Sequence, residues 1–288
     1  MNVRILASAV LTFAVAVSFA ADNTATRTFE RTLNVAASPN VSVATGSGYI
    51  HLSSGSDRQI HIIGHVHPNN SWFSGNSSSR VEEIVNHPPI IQSGNNVRIG
   101  PEHHNDDLYN NIAIDYDISL PTASAINAAT GSGSIQIQDV GSTLKAVSGS
   151  GTVHAQGIHG PADLQTGSGN IELQQVASGD VRAQTGSGSI RLSGVSGALR
   201  AGTGSGSIEA SGQPTSGWKL DTGSGSIHLT LGSSARYSLN ASTGSGSIDT
   251  ASPIAVQGRI DKHHVSGTVN GGGPVILANT GSGSIEIR

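Results

Sequence analysis

Histidine is the residue type in this sequence whose number and spacing are best suited to chemistry. The chain has 12 histidines, and three of them, His61, His65 and His67, are spaced so that they share one face of an extended stretch. Ile60 and Ile62 fall on the opposite face. Neutral imidazoles bind zinc, copper or nickel, so His61, His65 and His67 are candidate metal ligands. The alternative is that they are ordinary exposed polar positions of a strand.

Aromatic side chains that could stack on a sugar ring are few, since Phe, Trp and Tyr make up 3% of the chain. Trp72 and Phe73 stand together in a polar stretch after these histidines and are the candidates for a ligand-binding surface. The 19 Asp and Glu residues are dispersed. The adjacent pair Glu82 and Glu83 would point to opposite faces of a strand. We therefore expect no acid–base pair and no enzyme.

Composition excludes several other kinds of site. The chain has no cysteine, which excludes disulfides, thiolate zinc sites, iron–sulfur clusters and cysteine nucleophiles. Its net charge of −4 and pI of 6.3 lack the strongly basic balance of nucleic-acid-binding proteins, so we expect no nucleic-acid partner. No helical pattern follows the glycine-rich motifs described below, so they do not predict a phosphate site. We expect no cofactor.

The first residues, Met1–Ala21, have the pattern of a secretory signal peptide. Arg4 gives a positive start, Ile5–Phe19 is almost wholly apolar, and small residues precede a cleavage site after Ala20. The apolar run is shorter than the roughly 20 residues that a membrane span needs, and no second run follows. The sequence therefore predicts an exported chain with no transmembrane segment after cleavage, located in the periplasm, at the cell surface or in the medium.

The segment Thr-Gly-Ser-Gly-Ser-Ile and its close variants recur along the chain, and this repeat determines the predicted fold. Between residues 130 and 243, successive copies begin 18 to 21 residues apart, a period that is too short for two helices and suits one coil of a β-solenoid. The copies begin at Thr45, Thr130, Ser148, Thr166, Thr185, Thr203, Thr222, Thr243 and Thr280.

Each copy lies between two stretches in which apolar residues alternate with polar ones. Leu199 and Ala201 precede one copy at odd positions, whereas Ile208 and Ala210 follow it at even positions. The inward parity therefore changes within Gly-Ser-Gly, which predicts a corner where glycine adopts dihedral angles that other residues avoid. Coils stacked in register would share one apolar core and pair their backbones with neighbouring coils.

We therefore predict an all-β fold, a single-stranded β-helix (β-solenoid) with coils of about 18–19 residues, right-handed as most parallel crossovers are. The predicted organisation is a signal peptide at 1–20, irregular N-terminal coils and a cap at 21–120, and regular repeats at 121–288. Val81–Ile91 is predicted as a strand, and Ile285–Arg288 as an uncapped edge strand. Stacking in chain order would align one outward row of side chains: His154, Glu172, Arg191, Glu209, His228 and Asp249.

Two segments besides the repeat carry a family resemblance. Tyr116–Pro121 (YDISLP) and Gly271–Leu277 (GGGPVIL), together with the TGSGSI copies, resemble the bacterial "putative adhesin" family of β-strand-repeat proteins of unknown function. The resemblance covers nearly the whole mature chain and is strongest over Asp115–Arg288. It implies a β-helix and export, and it supplies no binding residues.

These observations favour an exported, non-enzymatic β-solenoid that acts as an adhesin or as a cell-envelope scaffold. Its expected partners are cell-surface or envelope components or glycans. One alternative is a carbohydrate-binding or carbohydrate-active β-helix that makes contact through Trp72 and Phe73. The other alternative is an envelope protein that binds a metal through His61, His65 and His67. The residues do not predict an oligomeric state.

Overall fold

The computed structural model describes residues 26–69, 77–101, 107–256 and 261–288. Within these ranges the chain forms a 12-stranded β-sheet, which we name sheet A, and a 13-stranded β-sheet, which we name sheet B. One α-helix and one short 3₁₀ helix complete the described secondary structure. None of the helices in these ranges is long and apolar enough to cross a membrane. The predicted signal peptide, 1–20, lies outside the described residues.

The elements fall into three groups along the chain. The N-terminal group is β1 (Arg27–Asn34), β2 (Asn40–Thr45), β3 (Ile50–Ser54), β4 (Gln59–Pro68), α1 (Ser77–Asn86), β5 (Ile90–Ser93), β6 (Asn96–Ile99), the 3₁₀ helix (Asp107–Tyr109) and β7 (Ile112–Leu120). The central group is β8 (Ala125–Thr130), β9 (Ile135–Gln138), β10 (Thr143–Ser148), β11 (Val153–Ile158), β12 (Ala162–Thr166), β13 (Ile171–Gln175), β14 (Val181–Thr185), β15 (Ile190–Val195), β16 (Leu199–Thr203), β17 (Ile208–Gly212), β18 (Trp218–Ser224) and β19 (Ile227–Leu231). The C-terminal group is β20 (Tyr237–Ser245), β21 (Ile248–Thr250), β22 (Ala255–Val256), β23 (His264–Val269), β24 (Val275–Ser282) and β25 (Ile285–Ile287).

Each central coil contributes one strand to each sheet, and the repeated motif joins the two strands. In one such coil, β14 belongs to sheet B, β15 belongs to sheet A, and the motif that begins at Thr185 connects them. Neighbouring coils pair in parallel and in register, so that Thr166, Thr185 and Thr203 are directly aligned. The predicted all-β solenoid with one coil per repeat is therefore confirmed.

The core lies between the two sheets and is filled by the inward side chains of both. Leu199 and Ala201 of β16 are 0% and 3% exposed, and Ile208 and Ala210 of β17 are both 0% exposed. The predicted change of parity across the corner is therefore present. Removing these apolar side chains from water is the main favourable contribution to stacking the coils.

The threonine that begins each motif ties its corner to the adjacent coil. The Thr203 hydroxyl donates a hydrogen bond of 2.8 Å to the carbonyl oxygen of Gly188, and Thr185 donates one of 2.9 Å to Gly169. The Gly188 N–H in turn donates to the Thr185 hydroxyl oxygen at 3.2 Å. The bond to the adjacent coil is also made by Thr130, Ser148, Thr166, Thr222, Thr243 and Thr280.

At most corners, the second glycine of the motif is required for a different reason from the one the sequence predicts. A Cβ on Gly188 would lie 1.9 Å from the carbonyl oxygen of Gly169 in the adjacent coil. Gly188 is not among the residues with positive φ, so the prediction that dihedral angles demand glycine is wrong at this corner. It holds at Gly225, Gly246 and Gly283, whose φ values are 155°, 146° and 150°. The close approach of stacked corners excludes a side chain. The same overlap, at 1.9–2.1 Å, occurs at Gly133, Gly151, Gly169 and Gly206.

The C-terminal coils do not stack in chain order. β24 lies between β18 and β20 in sheet B, and β25 lies between β19 and β21 in sheet A. The last strand is thus paired on both sides, and its prediction as an uncapped edge is wrong. The step of 21 residues between Thr222 and Thr243 is longer than the steps of 18 and 19 before it. The extra residues let the chain reach the position one coil further on.

The N-terminal end of the stack is closed by antiparallel strands. In sheet A, β7 lies beside β3 and is followed by antiparallel β4 and β1, while the β5–β6 hairpin ends sheet B. The rings of Phe29 and Tyr116 meet edge to face at 6.4 Å. Gly64 leaves room for this contact, because a Cβ there would lie 2.2 Å from the Phe29 ring.

The segment predicted as a strand over Val81–Ile91 is mostly helix, so that prediction is wrong. Helix α1 packs against β1 and β4 and buries Val81 and Ile84. These residues are three positions apart, a spacing that places them on one helical face. The helix ends at Asn86, shortly before Pro88 and Pro89, where proline cannot continue it.

Candidate functional site

The three candidate histidines lie on β4 and point away from the core. The side chains of His61, His65 and His67 are 38%, 34% and 32% exposed, whereas Ile60 and Ile62, which flank His61, are fully buried. β4 pairs with β1 on one side and with β7 on the other. The outward residues of those two strands therefore surround the histidines.

His61 and His67 each have their own partners on a neighbouring strand. His61 Nδ1 lies within hydrogen-bond distance of the Thr32 hydroxyl, at 3.2 Å, and its Nε2 lies 3.6 Å from a carboxylate oxygen of Glu30 on β1. His67 Nε2 is 3.1 Å from Oδ2 of Asp115 on β7. The two imidazoles are thus held at opposite sides of β4.

His65 belongs to a network centred on Asp117, which we name the Asp117 cluster and define as Tyr49, His51, His65 and Asp117. The Tyr49 hydroxyl donates to Asp117 Oδ2 at 2.9 Å, and His51 Nδ1 lies 3.1 Å from Oδ1. His65 Nε2 approaches Oδ2 from the other side at 3.3 Å. Both carboxylate oxygens are therefore engaged by neighbouring side chains.

The electrostatics of the Asp117 cluster are most visible at Tyr49. Partial burial, followed by the hydrogen bond and the negative charge of Asp117, raises the pKa of Tyr49 to about 12. Each of these contributions disfavours the phenolate. Tyr49 therefore remains a neutral hydrogen-bond donor across the physiological pH range.

The histidine spacing along β4 argues against a metal held by all three imidazoles at once. At 3.3 Å per strand residue, His61 and His65 are about 13 Å apart along the strand. Over the ranges 26–69, 77–101, 107–256 and 261–288, no three or more His, Asp or Glu side chains form a group suited to a metal ion. Metal binding by His61, His65 and His67 stays a prediction, which calorimetric titration with zinc and nickel would test.

The other predicted contact residues, Trp72 and Phe73, lie outside the described residues. Sequence reasoning also did not single out Asp115 and Asp117 as partners of the histidines. The sequence does indicate that both carboxylates point outward, since both alternate with buried residues in β7. It does not indicate that β7 pairs with β4, because this pairing joins segments about 50 residues apart.

A ladder of charged side chains lies beyond the Asp117 cluster on the outer face of sheet A, separated from it by Gln136 of β9. His154 and Glu172 are 2.9 Å apart, and Arg191 contacts Glu172 at 3.5 Å and Glu209 at 3.0 Å. The predicted alignment of this row is therefore present from His154 to Glu209, and acid alternates with base from Glu172 to Glu209. Neighbouring residues of opposite sign in such a row stabilise the sheet.

The far end of this ladder differs from the prediction because of the inserted last coil. Glu286 of β25 lies between His228 and Asp249, which were expected to be neighbours. His228 Nδ1 is 3.1 Å from a Glu286 oxygen, and Arg288 also contacts this carboxylate. The hydrogen bond from Arg288, and then the one from His228, lower the pKa of Glu286.

Chemically, the outer face of sheet A offers imidazoles oriented by carboxylates, together with one tyrosine hydroxyl. Such groups can exchange protons or hydrogen-bond to a ligand. These groups lie on an open face of sheet A. Two surface pockets lie instead on sheet B, where Asn127 lines one and Gln165 lines the other. The arrangement is therefore suited to surface recognition.

Comparison with known proteins agrees with this architecture. The family model named Toastrack DUF4097 matches residues 56–288. The chain belongs to the Toastrack family. The family resemblance of its repeats is thereby confirmed, and the match includes both the antiparallel cap strand β4 and the inserted last coil of this Toastrack protein. No curated protein matches the chain at a significant level.

Two solved structures are similar to this Toastrack chain. One is described as a putative adhesin from Bacteroides fragilis NCTC 9343, with 12% identity, a TM-score of 0.43, and coverage of 91% of this chain and 97% of that chain. The other is described as a putative cell adhesion protein from Clostridium sporogenes ATCC 15579, with 15% identity, a TM-score of 0.27, and coverage of 91% and 99%. Both TM-scores are too low for either similarity to support a statement about function.

Proposed function

We propose that this Toastrack protein is an exported, non-enzymatic β-solenoid that acts as an adhesin or as a scaffold of the cell envelope. The observation that carries the proposal is the pair of extended outer faces. On each face, exposed side chains of successive strands stand in register across many coils, as His154, Glu172 and Arg191 do. Solenoids use such faces to bind extended partners.

The side chains of sheet A support binding rather than turnover. Catalytic acids and bases are usually found in concave pockets, where burial and neighbouring charges tune their pKa values. The Asp117 cluster instead lies on an open face, and Asp117 is engaged by Tyr49, His51 and His65. Its groups are arranged to hold one another and to present hydrogen-bonding atoms to a partner.

Export is the second part of the proposal. The positive start at Arg4, the apolar run Ile5–Phe19 and the small residues before Ala20 support secretion through a cleaved signal peptide. The expected location is the periplasm, the cell surface or the medium. The expected partners there are surface or envelope components, including glycans.

Fractionation of the source cells tests the proposal directly. An antibody against the mature chain should detect it in the envelope or medium, shortened by cleavage after Ala20. A variant that lacks Ile5–Phe19 is the matched control and should stay in the cytoplasm. Deleting the gene should reduce attachment of cells to one another or to a surface, and expression of the wild-type chain should restore it.

Two results would contradict the proposal. One is recovery of the wild-type chain in the cytoplasm at its full, uncleaved length. The other is release of new reducing ends when the purified protein is incubated with envelope polysaccharide, because that would be turnover by an enzyme. Retention of attachment after deletion would refute the adhesin role while leaving a scaffold role, which a change in envelope permeability would reveal.

A further inference from the structure

The outer face of sheet B carries a row of positive charges that the repeat pattern does not require. Lys145, Arg182, Arg200 and Lys219 occupy the same register position of β10, β14, β16 and β18, and Asp163 of β12 stands between the first two. We name these four cations the basic row. At about 4.8 Å per strand, the row is about 19 Å long. All four side chains are exposed.

The basic row places like charges directly opposite one another. Arg182, Arg200 and Lys219 are neighbours on three consecutive strands with no acidic residue between them at that position. Such contacts are unfavourable for a sheet. The same coils alternate acid and base on sheet A, at Glu172, Arg191 and Glu209. The fold can therefore accommodate a balanced row, and the unbalanced one calls for an anion from outside.

The cations of the basic row are poorly neutralised within the chain. Arg182 reaches Asp163 only at 4.0 Å, and Lys219 contacts Asp221 at 3.4 Å. The side chains of Lys145 and Arg200 make no hydrogen bond or ion pair with any residue that the structure describes. Asp163 and Asp221, both partly exposed, and the exposed Asp180 two residues before Arg182 thus face four cations. This face keeps a small positive excess although the whole chain has a net charge of −4.

Two shallow pockets follow the basic row along the same face. One, of about 320 Å³, is lined by Gln165, Gln184 and the glycine corners beside Arg182. The other, of about 410 Å³, lies at the N-terminal end of the row, where Asn127 stands opposite Lys145. Amide and hydroxyl side chains such as Asn127 form part of its rim, but most of its exposed surface is apolar and comes from residues such as Ile91 and Ile126. Amides and hydroxyls are suited to hydrogen bonding with the hydroxyl groups of sugars.

The side chains on the outer face of sheet B favour a sugar polymer over a nucleic acid as the partner. Proteins that bind single strands without sequence preference stack bases on aromatic side chains. The outward residues of β10, β12, β14, β16 and β18 include no aromatic residue, since Trp218 of β18 is buried in the core. A hydroxyl-rich chain with regularly spaced negative groups matches both the cations and the amides Gln165 and Gln184 of the pocket beside Arg182.

We propose that the outer face of sheet B binds a linear anionic polysaccharide along the basic row. The negative groups of the polymer pair with Lys145, Arg182, Arg200 and Lys219, and its hydroxyl groups bond to the amides of the adjoining pockets. This inference rests on the proposed surface function and names the partner class and the face that takes it. It uses residues different from Trp72 and Phe73.

The test uses the full mature chain and polymers of defined charge. Alginate and dextran sulfate supply carboxylate and sulfate groups respectively, and uncharged dextran of similar length is the control. Biolayer interferometry should show binding to at least one charged polymer and none to dextran, with affinity falling as salt rises. Arg200→Gln should weaken binding about threefold and the quadruple Gln variant of the basic row about thirtyfold or more.

Matched controls separate binding from folding. Arg58→Gln removes an exposed cation from the turn before β4, away from both outer faces, and should leave affinity unchanged. Arg200→Gln should melt at the same temperature as the wild type or higher, because it relieves repulsion within the row. If a variant keeps the wild-type melting temperature but no longer binds the polymer, the loss of binding is caused by the removed charge and not by unfolding.

Several results would overturn this inference. They are absence of binding to both charged polymers at low salt, binding to dextran that is as strong as to the charged polymers, and a loss of affinity in Arg58→Gln as large as in Arg200→Gln. Equal affinity for duplex DNA would also overturn it, as would salt-sensitive self-association that the quadruple variant abolishes. In that last case the basic row would be an interface between copies. If the chain is found in the envelope and supports attachment yet binds no charged polymer, polysaccharide binding by the basic row is refuted and the proposed function stands. Cytoplasmic retention would instead refute the proposed function.

Discussion

Replacing Gly188 with alanine tests whether the corners are held by close stacking or by unusual backbone dihedral angles. The new Cβ would lie 1.9 Å from the Gly169 carbonyl oxygen and 2.5 Å from its carbon. Two stacked corners would have to separate by more than 1 Å, as an order-of-magnitude estimate for reaching van der Waals contact. That separation strains the bond from Thr203 to Gly188 and the bond from Thr185 to Gly169, which are 2.8 and 2.9 Å long.

The magnitude follows from these two effects. Overpacking costs about 1–3 kcal/mol, and a weakened hydrogen bond costs about 1 kcal/mol. We therefore expect Gly188→Ala to lower the free energy of unfolding by about 3 kcal/mol. For a domain of this size, the melting temperature should fall by roughly 6–12 °C. Urea unfolding followed by circular dichroism gives the free energy, and calorimetry gives the melting temperature.

Gly202→Ala is the matched control, because Gly202 lies in a strand and its nearest described neighbour would be 4.0 Å from the added Cβ. It should be neutral or stabilise slightly, since alanine restricts the unfolded chain more than glycine does. Gly188→Asn distinguishes the two explanations, because asparagine tolerates left-handed dihedral angles. Rescue by asparagine, or equal losses at Gly188 and Gly202, would refute the stacking explanation.

Two further predictions concern the hydroxyls. Thr203→Val should lower the free energy of unfolding by about 1–2 kcal/mol, because it removes the 2.8 Å hydrogen bond that the Thr203 hydroxyl donates to the Gly188 carbonyl oxygen. Thr230→Val, at an exposed position, should change the free energy of unfolding by less than about 0.5 kcal/mol. Urea unfolding measures both. The pKa of Tyr49 is raised from 10.0 to about 12, so the stability it contributes is full below pH 10 and is lost as the pH rises towards 12. Melting curves between pH 9 and 12 should therefore fall more steeply for the wild type than for Tyr49→Phe, and Asp117→Asn should lower the Tyr49 pKa in an ultraviolet titration without restoring 10, because burial remains.

The regular part of the fold could be predicted because every coil repeats the same local physics. Alternation on both sides of the motif, with the change of parity between Ala201 and Ile208, fixes which side chains face the core. The order of the last coils could not be predicted in this way. The motifs at Thr222, Thr243 and Thr280 are identical in sequence, so each fits beside either of the others, and the connecting lengths decide the order.

The cap was less predictable because its signals are weaker and its contacts are distant in sequence. Val81, Ile84 and Val85 have helical spacing, but the segment is short and its apolar residues also favour a strand. Around the candidate site, alternation placed His65 on an outward face. Its partner Asp117 comes from antiparallel pairing of β4 with β7, which no local pattern specifies.

The insertion of β24 between β18 and β20 sets an order of events during biosynthesis. β20 cannot pair with its final neighbour in sheet B until Val275–Ser282 has left the ribosome, because that segment forms β24, which lies between β20 and β18. The hairpin of β22 and β23 is synthesised before β24, and together with β20 it can join sheet B only once β24 is in place. The stack can grow from its N-terminal end as it is synthesised, but the strands from β20 onward close in a single late step that requires the complete chain.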